Sequence, residues 1–148
     1  MLKDTIINLF ERDLNRLKEE IKLYNDDIKL WAIDKEIKNS AGNLALHLLG
    51  NINHFVGTTL GNNGYVRNRE AEFSSKNIPL AEIIHDIDKT VLMIKETLGK
   101  ISDEEMEMDY PLEVFKNKGK MEIQYFLIHL TGHLNYHLGQ INYHRRLI

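Results

Sequence analysis

The chain has 148 residues, 43% of them apolar and 28% charged, with a net charge of −3 and no cysteine. This is one domain with room for a real core. Disulfides, thiolate metal ligands and cysteine nucleophiles are excluded together, and the charge argues against a nucleic-acid-binding surface. The start, MLKDTIINLFERDL, is charged every few residues and has no secretory apolar core. No apolar run approaches the roughly 18 residues of a membrane span, so the expectation is a soluble, cytoplasmic protein.

Residues 1–24 read as a helix, because Ile6, Phe10, Leu14, Leu17, Ile21 and Tyr24 recur at three and four residues. Asn25-Asp26-Asp27 ends it. Residues 28–41 are a connection that carries Trp31 and closes on Asn39-Ser40, a helix N-cap signal. A second helix is predicted from Ala41 to Leu60, stopped by Gly61-Asn62-Asn63-Gly64. Residues 61–78 form a long loop. Pro79 suits the first turn of a third helix, whose stripe is Leu80, Ile83, Ile84, Ile87, Val91, Ile94 and Leu98. Residues 99–119 form another long connection, in which Glu113 to Phe115 reads as a short strand before a Lys116–Gly119 turn. The fourth helix runs from Glu122 to Ile148. One apolar stripe per helix predicts an all-α four-helix bundle. The two long connections suit a topology other than simple up-down-up-down.

The fourth helix carries four of the seven histidines: His129, His133, His137 and His144. At about 100° per residue their rings fall within roughly 80° of one another. They share that face with Phe126, Leu130, Leu134 and Ile141, so they look inward, where an unpaired ring is costly. Inward histidines one turn apart most simply share a metal ion. Two pairs have ligand spacing, His129/His133 and His133/His137, and His133 is common to both. His137 lies nearer the centre of the apolar sector. His144 is about two turns beyond it, too far to share the ion.

On the second helix Asn43, His47, Gly50, Asn51 and His54 form a narrow polar and small stripe. His47 and His54 face the same way about 10 Å apart in rise, so one ion takes one of them. Gly50 allows another element to approach closely. Asn43 and Asn51 flank His47 and are placed to bond a metal-bound water or to fix the ring. One histidine here and a pair on the fourth helix give three nitrogen ligands, the open arrangement of catalytic sites. The HExxH motif is absent, since Leu134 follows His133. Glu122 is at most a weak candidate base, better read as a helix-start carboxylate.

The run His133-Leu134-Asn135-Tyr136-His137-Leu138-Gly139-Gln140 resembles the HxxxHxGQ signature of the DinB-like (YfiT-type) superfamily. Residues 39–51 resemble that superfamily's first-histidine helix, and residues 66–73 resemble a further stretch of a subgroup known only as a domain of unknown function. The resemblance covers residues 30–148. It implies an up-down-down-up four-helix bundle and a metal, zinc or nickel most often, held by His47, His133 and His137. It also implies homodimers. Characterised relatives include thiol-dependent S-transferases, an isomerase and proteins described as hydrolases.

Arg67 and Arg69 are candidates for holding an anionic substrate or a low-molecular-weight thiol cofactor. Trp31 and Tyr65 read as packing residues, and His85 as a surface residue. Arg145-Arg146 suits the negative end of the fourth helix. The first reading is a metal-dependent enzyme that activates a thiol or water for S-transfer to, or hydrolysis of, a small molecule. The alternative is a non-catalytic metal-binding or stress-associated helical bundle protein.

Overall fold

The computed structural model describes residues 1–148. It is all-helical. Four long helices, α1 (Leu2–Lys22), α3 (Ala41–Ile52), α5 (Leu80–Lys100) and α7 (Ile123–Leu147), carry the core. Three short ones, α2 (Asp27–Leu30), α4 (Arg69–Ser74) and α6 (Asp103–Met106), lie in the connections. The α1 stripe of Ile6, Phe10, Leu14, Leu17 and Ile21 is buried. In α5 the buried residues are Ile83, Ile87, Thr90, Ile94 and Leu98. α3 is buried almost all round, which fits its run of small and apolar residues.

α1 packs against α5 and α7, and α3 packs against the same two helices. Polar pairs show the directions. Lys18 bonds Asp88 at 2.7 Å and Lys95 bonds Glu11 at 2.5 Å, so numbers rise on α1 as they fall on α5. Asn135 donates to Asp13 at 2.6 Å and Asn142 to Glu20 at 2.7 Å, which makes α1 and α7 parallel. Asp13 is fully buried on α1. Burial alone would raise its pKa, but bonds from Arg12 and Asn135 and the charges of Arg12 and Arg16 outweigh it. The carboxyl is held below its usual range and stays charged.

Several boundaries differ from expectation. The predicted helix 41–60 is α-helical only to Ile52 and continues as a π-helical stretch, Asn53–Thr58. The predicted 28–41, 61–78 and 99–119 connections each contain a short helix. A helix of one turn shows no 3.6-residue period. Each of these is announced instead by its cap: Asp26, Asn68 and the capping box of Ser102 with Glu105. Pro79 is the N-cap of α5, one place before its first turn. No strand forms at Glu113–Phe115. The only β pairing is one antiparallel bridge between Asp109 and Glu122, at the entry to α7. The turn at Lys116–Gly119 is present, with positive φ at Asn117 and Gly119. No helix is long and apolar enough to cross a membrane.

The start of α3 is tightly built. Ser40 Oγ accepts from the Asn43 amide at 3.1 Å, closing the N-cap. The Trp31 indole lies flat on Gly42, where an added Cβ would sit 2.8 Å from three ring carbons. Trp31 is the only tryptophan. Gly42→Ala is therefore expected to displace the indole and destabilise the fold by about 1–3 kcal/mol. Urea unfolding followed by tryptophan emission measures both effects. An unshifted emission with an unchanged midpoint would count against this packing.

Candidate metal centre

α3 and α7 bring three imidazoles together. His47 Nε2 lies 3.2 Å from His133 Nε2, and His137 Nε2 lies 3.2 Å from the same atom. The three candidate ligand nitrogens all lie within 4.8 Å of one another. His133 and His137 are one turn apart on α7, and His47 meets them from α3 with its ring edge-on to both. His47 is 7% exposed.

The outer nitrogens decide the tautomers. His47 Nδ1 is 3.1 Å from Glu72 Oε1, and His137 Nδ1 is 2.6 Å from Gln140 Oε1. Both are acceptors, and the donor Arg67 Nη2 stands farther from His47 Nδ1 at 3.5 Å, so both rings carry the proton on Nδ1 and turn a bare Nε2 inward. His133 Nδ1 is buried and has no partner. Burial, and then the neighbouring His137 and His47, push the His133 pKa down to about 4. The His47 pKa is also lowered, by burial first, although Glu72 opposes this. Both shifts favour the neutral rings of His47 and His133 near pH 7. Three imidazole nitrogen donors, two of them oriented by an acceptor on the outer nitrogen, fit a borderline divalent ion such as zinc or nickel.

Glu72 was not anticipated. It is the only buried residue between 61 and 79, and it reaches His47 from α4. Arg67 grips its other side, with Nε 2.9 Å from Oε2 and Nη2 2.9 Å from Oε1. The carboxylate occupies the space above Gly50, where a Cβ would stand 2.0 Å from Oε2. The close approach expected at Gly50 is therefore made by Glu72.

The remaining residues have other employment. Asn43 does not face the histidines. Its amide donates to the carbonyls of Glu72 and Ser75 at 2.9 and 2.8 Å, and its Oδ1 accepts from Ser40 and Lys76. It ties down the end of α4 and has no capacity left for a water or a ring. Asn51 is buried with Oδ1 unpartnered. His129 packs between the rings of Phe115 and Phe126, and His54 packs on Phe55. His144 is buried, its Nε2 donating to Ala32 O at 2.9 Å while Nδ1 accepts from the Tyr24 hydroxyl at 2.5 Å. Arg69 lies over Phe73, whose ring contacts His47. Glu122 is the N-cap of α7, His85 is exposed, and Arg145 pairs with Glu20.

Alanine replacement of His47, His133 or His137 is expected to lower zinc affinity by orders of magnitude, with little loss at His54, His129 or His144. Equilibrium competition with a chromophoric chelator on folded variants reads this directly. A second outcome concerns pH. The folded pKa of His133, about 4, lies below its ordinary 6.5, so the unfolded chain takes up the proton first. The contribution of His133 is present above about pH 6.5 and is lost as pH falls through about 4. In metal-free protein, urea midpoints should drop over that window, and His133→Asn should flatten the slope.

One comparison with known proteins places the chain. A family model described as protein of unknown function, DUF1572, matches residues 4–148. No curated protein and no solved structure matches it. The match spans nearly the whole chain, including both histidine helices and the segment that carries Glu72, and the protein belongs to the DUF1572 family of proteins of unknown function.

Proposed function

We propose that this protein is a metal-dependent enzyme of the DinB-like kind, in which His47, His133 and His137 hold a divalent ion. The observation that carries the reading is the convergence of three Nε2 atoms, two of them with the outer nitrogen bonded to an acceptor. Three protein ligands leave at least one coordination position for a substrate or water. A divalent ion there would supply Lewis acidity, which favours the deprotonated form of a thiol or water. The chemistry proposed is S-transfer to, or hydrolysis of, a small electrophilic molecule.

The surroundings support a small-molecule site. A cleft of about 510 Å³ opens beside His137, lined in part by Lys38, Leu44, Tyr136, Gln140 and Tyr143. Two arginines lie near the His47 ring, Arg67 with Nη2 3.5 Å from its Nδ1 and Arg69 across Phe73. Arg67 stands over the Phe55 ring, and Arg69 over Phe73. Both belong to the reading as holders of an anionic substrate or thiol cofactor, and Arg67 would use Nη1, which bonds no group of the chain. The reading includes the up-down-down-up four-helix bundle, supported by the parallel pairing of α1 with α7 and the antiparallel pairing of α1 with α5. It also includes a homodimer, for which exposed Tyr125, Ile128, Tyr136, Tyr143 and Leu147 on α7 offer a surface.

Elemental analysis of protein purified without an affinity tag should find about one zinc or nickel per chain. Cobalt(II)-substituted protein should develop a sulfur-to-cobalt charge-transfer band when a small thiol is added. A bound ion that no thiol or water can reach would favour the non-catalytic alternative. Any thiol-transfer or hydrolytic activity found should vanish on complete chelation and return with the ion. Activity that survives chelation unchanged would overturn the mechanism.

A further inference from the structure

The segment from Gly61 to Pro79 covers one side of α3 with almost no apolar anchorage. Its residues are exposed or half-buried, except Glu72. A buried carboxylate is a costly anchor unless it is paired and hydrogen-bonded. Here it has two partners of different origin. Arg67 comes from the segment itself, while His47 belongs to α3 and to the candidate metal centre. The other hydrogen bonds to α3 run through Asn43, whose side-chain amide donates to the carbonyls of Glu72 and Ser75 and whose Oδ1 accepts from Lys76.

We infer that Glu72 is a positioning residue that couples docking of the 61–75 segment to occupancy of the metal centre. The inference rests on the metal reading above. The physical link is the His47 ring. An ion on Nε2 withdraws electron density and makes Nδ1–H a stronger donor, so the bond to Glu72 tightens. In the other direction, a docked Glu72 holds the ring in the tautomer and orientation that the ion needs. Thermodynamic reciprocity makes the two effects equal in size. Gly50 is part of the device, because any side chain there would occupy the place of the carboxylate. Arg67 keeps the carboxylate paired when no ion is bound.

Three variants test this: Glu72→Gln, which keeps an acceptor and loses the charge; Gly50→Ala, which leaves Glu72 intact and blocks its seat; and Glu70→Gln, an exposed neighbour on α4, as control. Zinc affinity is read by chelator competition, and docking by hydrogen exchange of amides 61–75 with and without zinc. Folding is checked by circular dichroism and tryptophan emission. Should Gly50→Ala fail to fold, Glu72→Gln carries the test alone. Expected are a loss of zinc affinity of about 10–100-fold in Glu72→Gln and Gly50→Ala, none in the control, and zinc-induced protection of 61–75 in the wild type that shrinks in both variants. Zinc binding to folded Glu72→Gln as tight as to the wild type overturns the coupling, and so does exchange in 61–75 that ignores zinc. A wild-type chain that binds no zinc or nickel overturns the metal reading itself, and the coupling with it.

Discussion

Three imidazole nitrogens that turn their lone pairs toward one another repel unless a proton or a cation lies between them. The proton count around His133 makes this concrete. His47 and His137 spend their protons outward on Glu72 and Gln140. Only the His133 proton remains for the two Nε2 contacts. Placed on Nε2, it satisfies one contact and leaves two lone pairs opposed. Placed on Nδ1, it leaves all three opposed and has no acceptor of its own. Each unmet group costs about 1–3 kcal/mol when buried. A divalent ion between the three nitrogens would remove the repulsion, leaving only the His133 Nδ1–H without a protein partner.

Holding that cluster requires a precise register between α3 and α7, and the rest of the molecule supplies it from the far side of α7. Asp13 with Asn135, Glu20 with Asn142 and Arg145, and Tyr24 with His144 pin α7 along its length to α1 and to the turn that follows. These anchors begin between the two histidines and extend beyond them. Because the pairs are polar and directional, a slip of one turn would break all of them together and leave Asp13 buried without Asn135. A site built on helices locked in this way holds its ligands more narrowly than one built on loops.

Much of this was legible in the residues. The four long helices follow from apolar spacing, and the three-histidine constellation follows from helical offsets together with the resemblance around residues 133–140. What was not legible has a common cause. Period analysis gives the face of a residue but not the element that will meet it. Asn43 lies on the polar stripe, yet its partner is the end of α4, a six-residue helix too short to leave a periodic trace. Glu72 stands in a polar stretch beside Glu70, and nothing in composition tells a buried carboxylate from a solvated one. The available signal was indirect: a glycine on a polar stripe of α3, which needed something to fill the space above it. The strand expected at 113–115 does not form, and the backbone there makes only the turn bond from Lys118 to Phe115 O. The single bridge forms where the chain returns to start α7, through Tyr110 donating to Met121 O and Ile123 donating to Met108 O.

The choice between His129 and His137 shows how local such decisions are. Both lie one turn from His133, and both face the same side of α7. What separates them is the residue three places further along. For His137 it is Gln140, whose amide oxygen takes the Nδ1 proton and fixes the ring with Nε2 inward. For His129 it is Gly132, which has no side chain to offer. His129 instead meets the rings of Phe115 and Phe126, and burial with nearby Lys118 lowers its pKa. A ring held only by aromatic neighbours has no acceptor to fix its tautomer. On α7 the two rings thus differ less in their own placement than in their i+3 neighbours, Gln140 for His137 and Gly132 for His129.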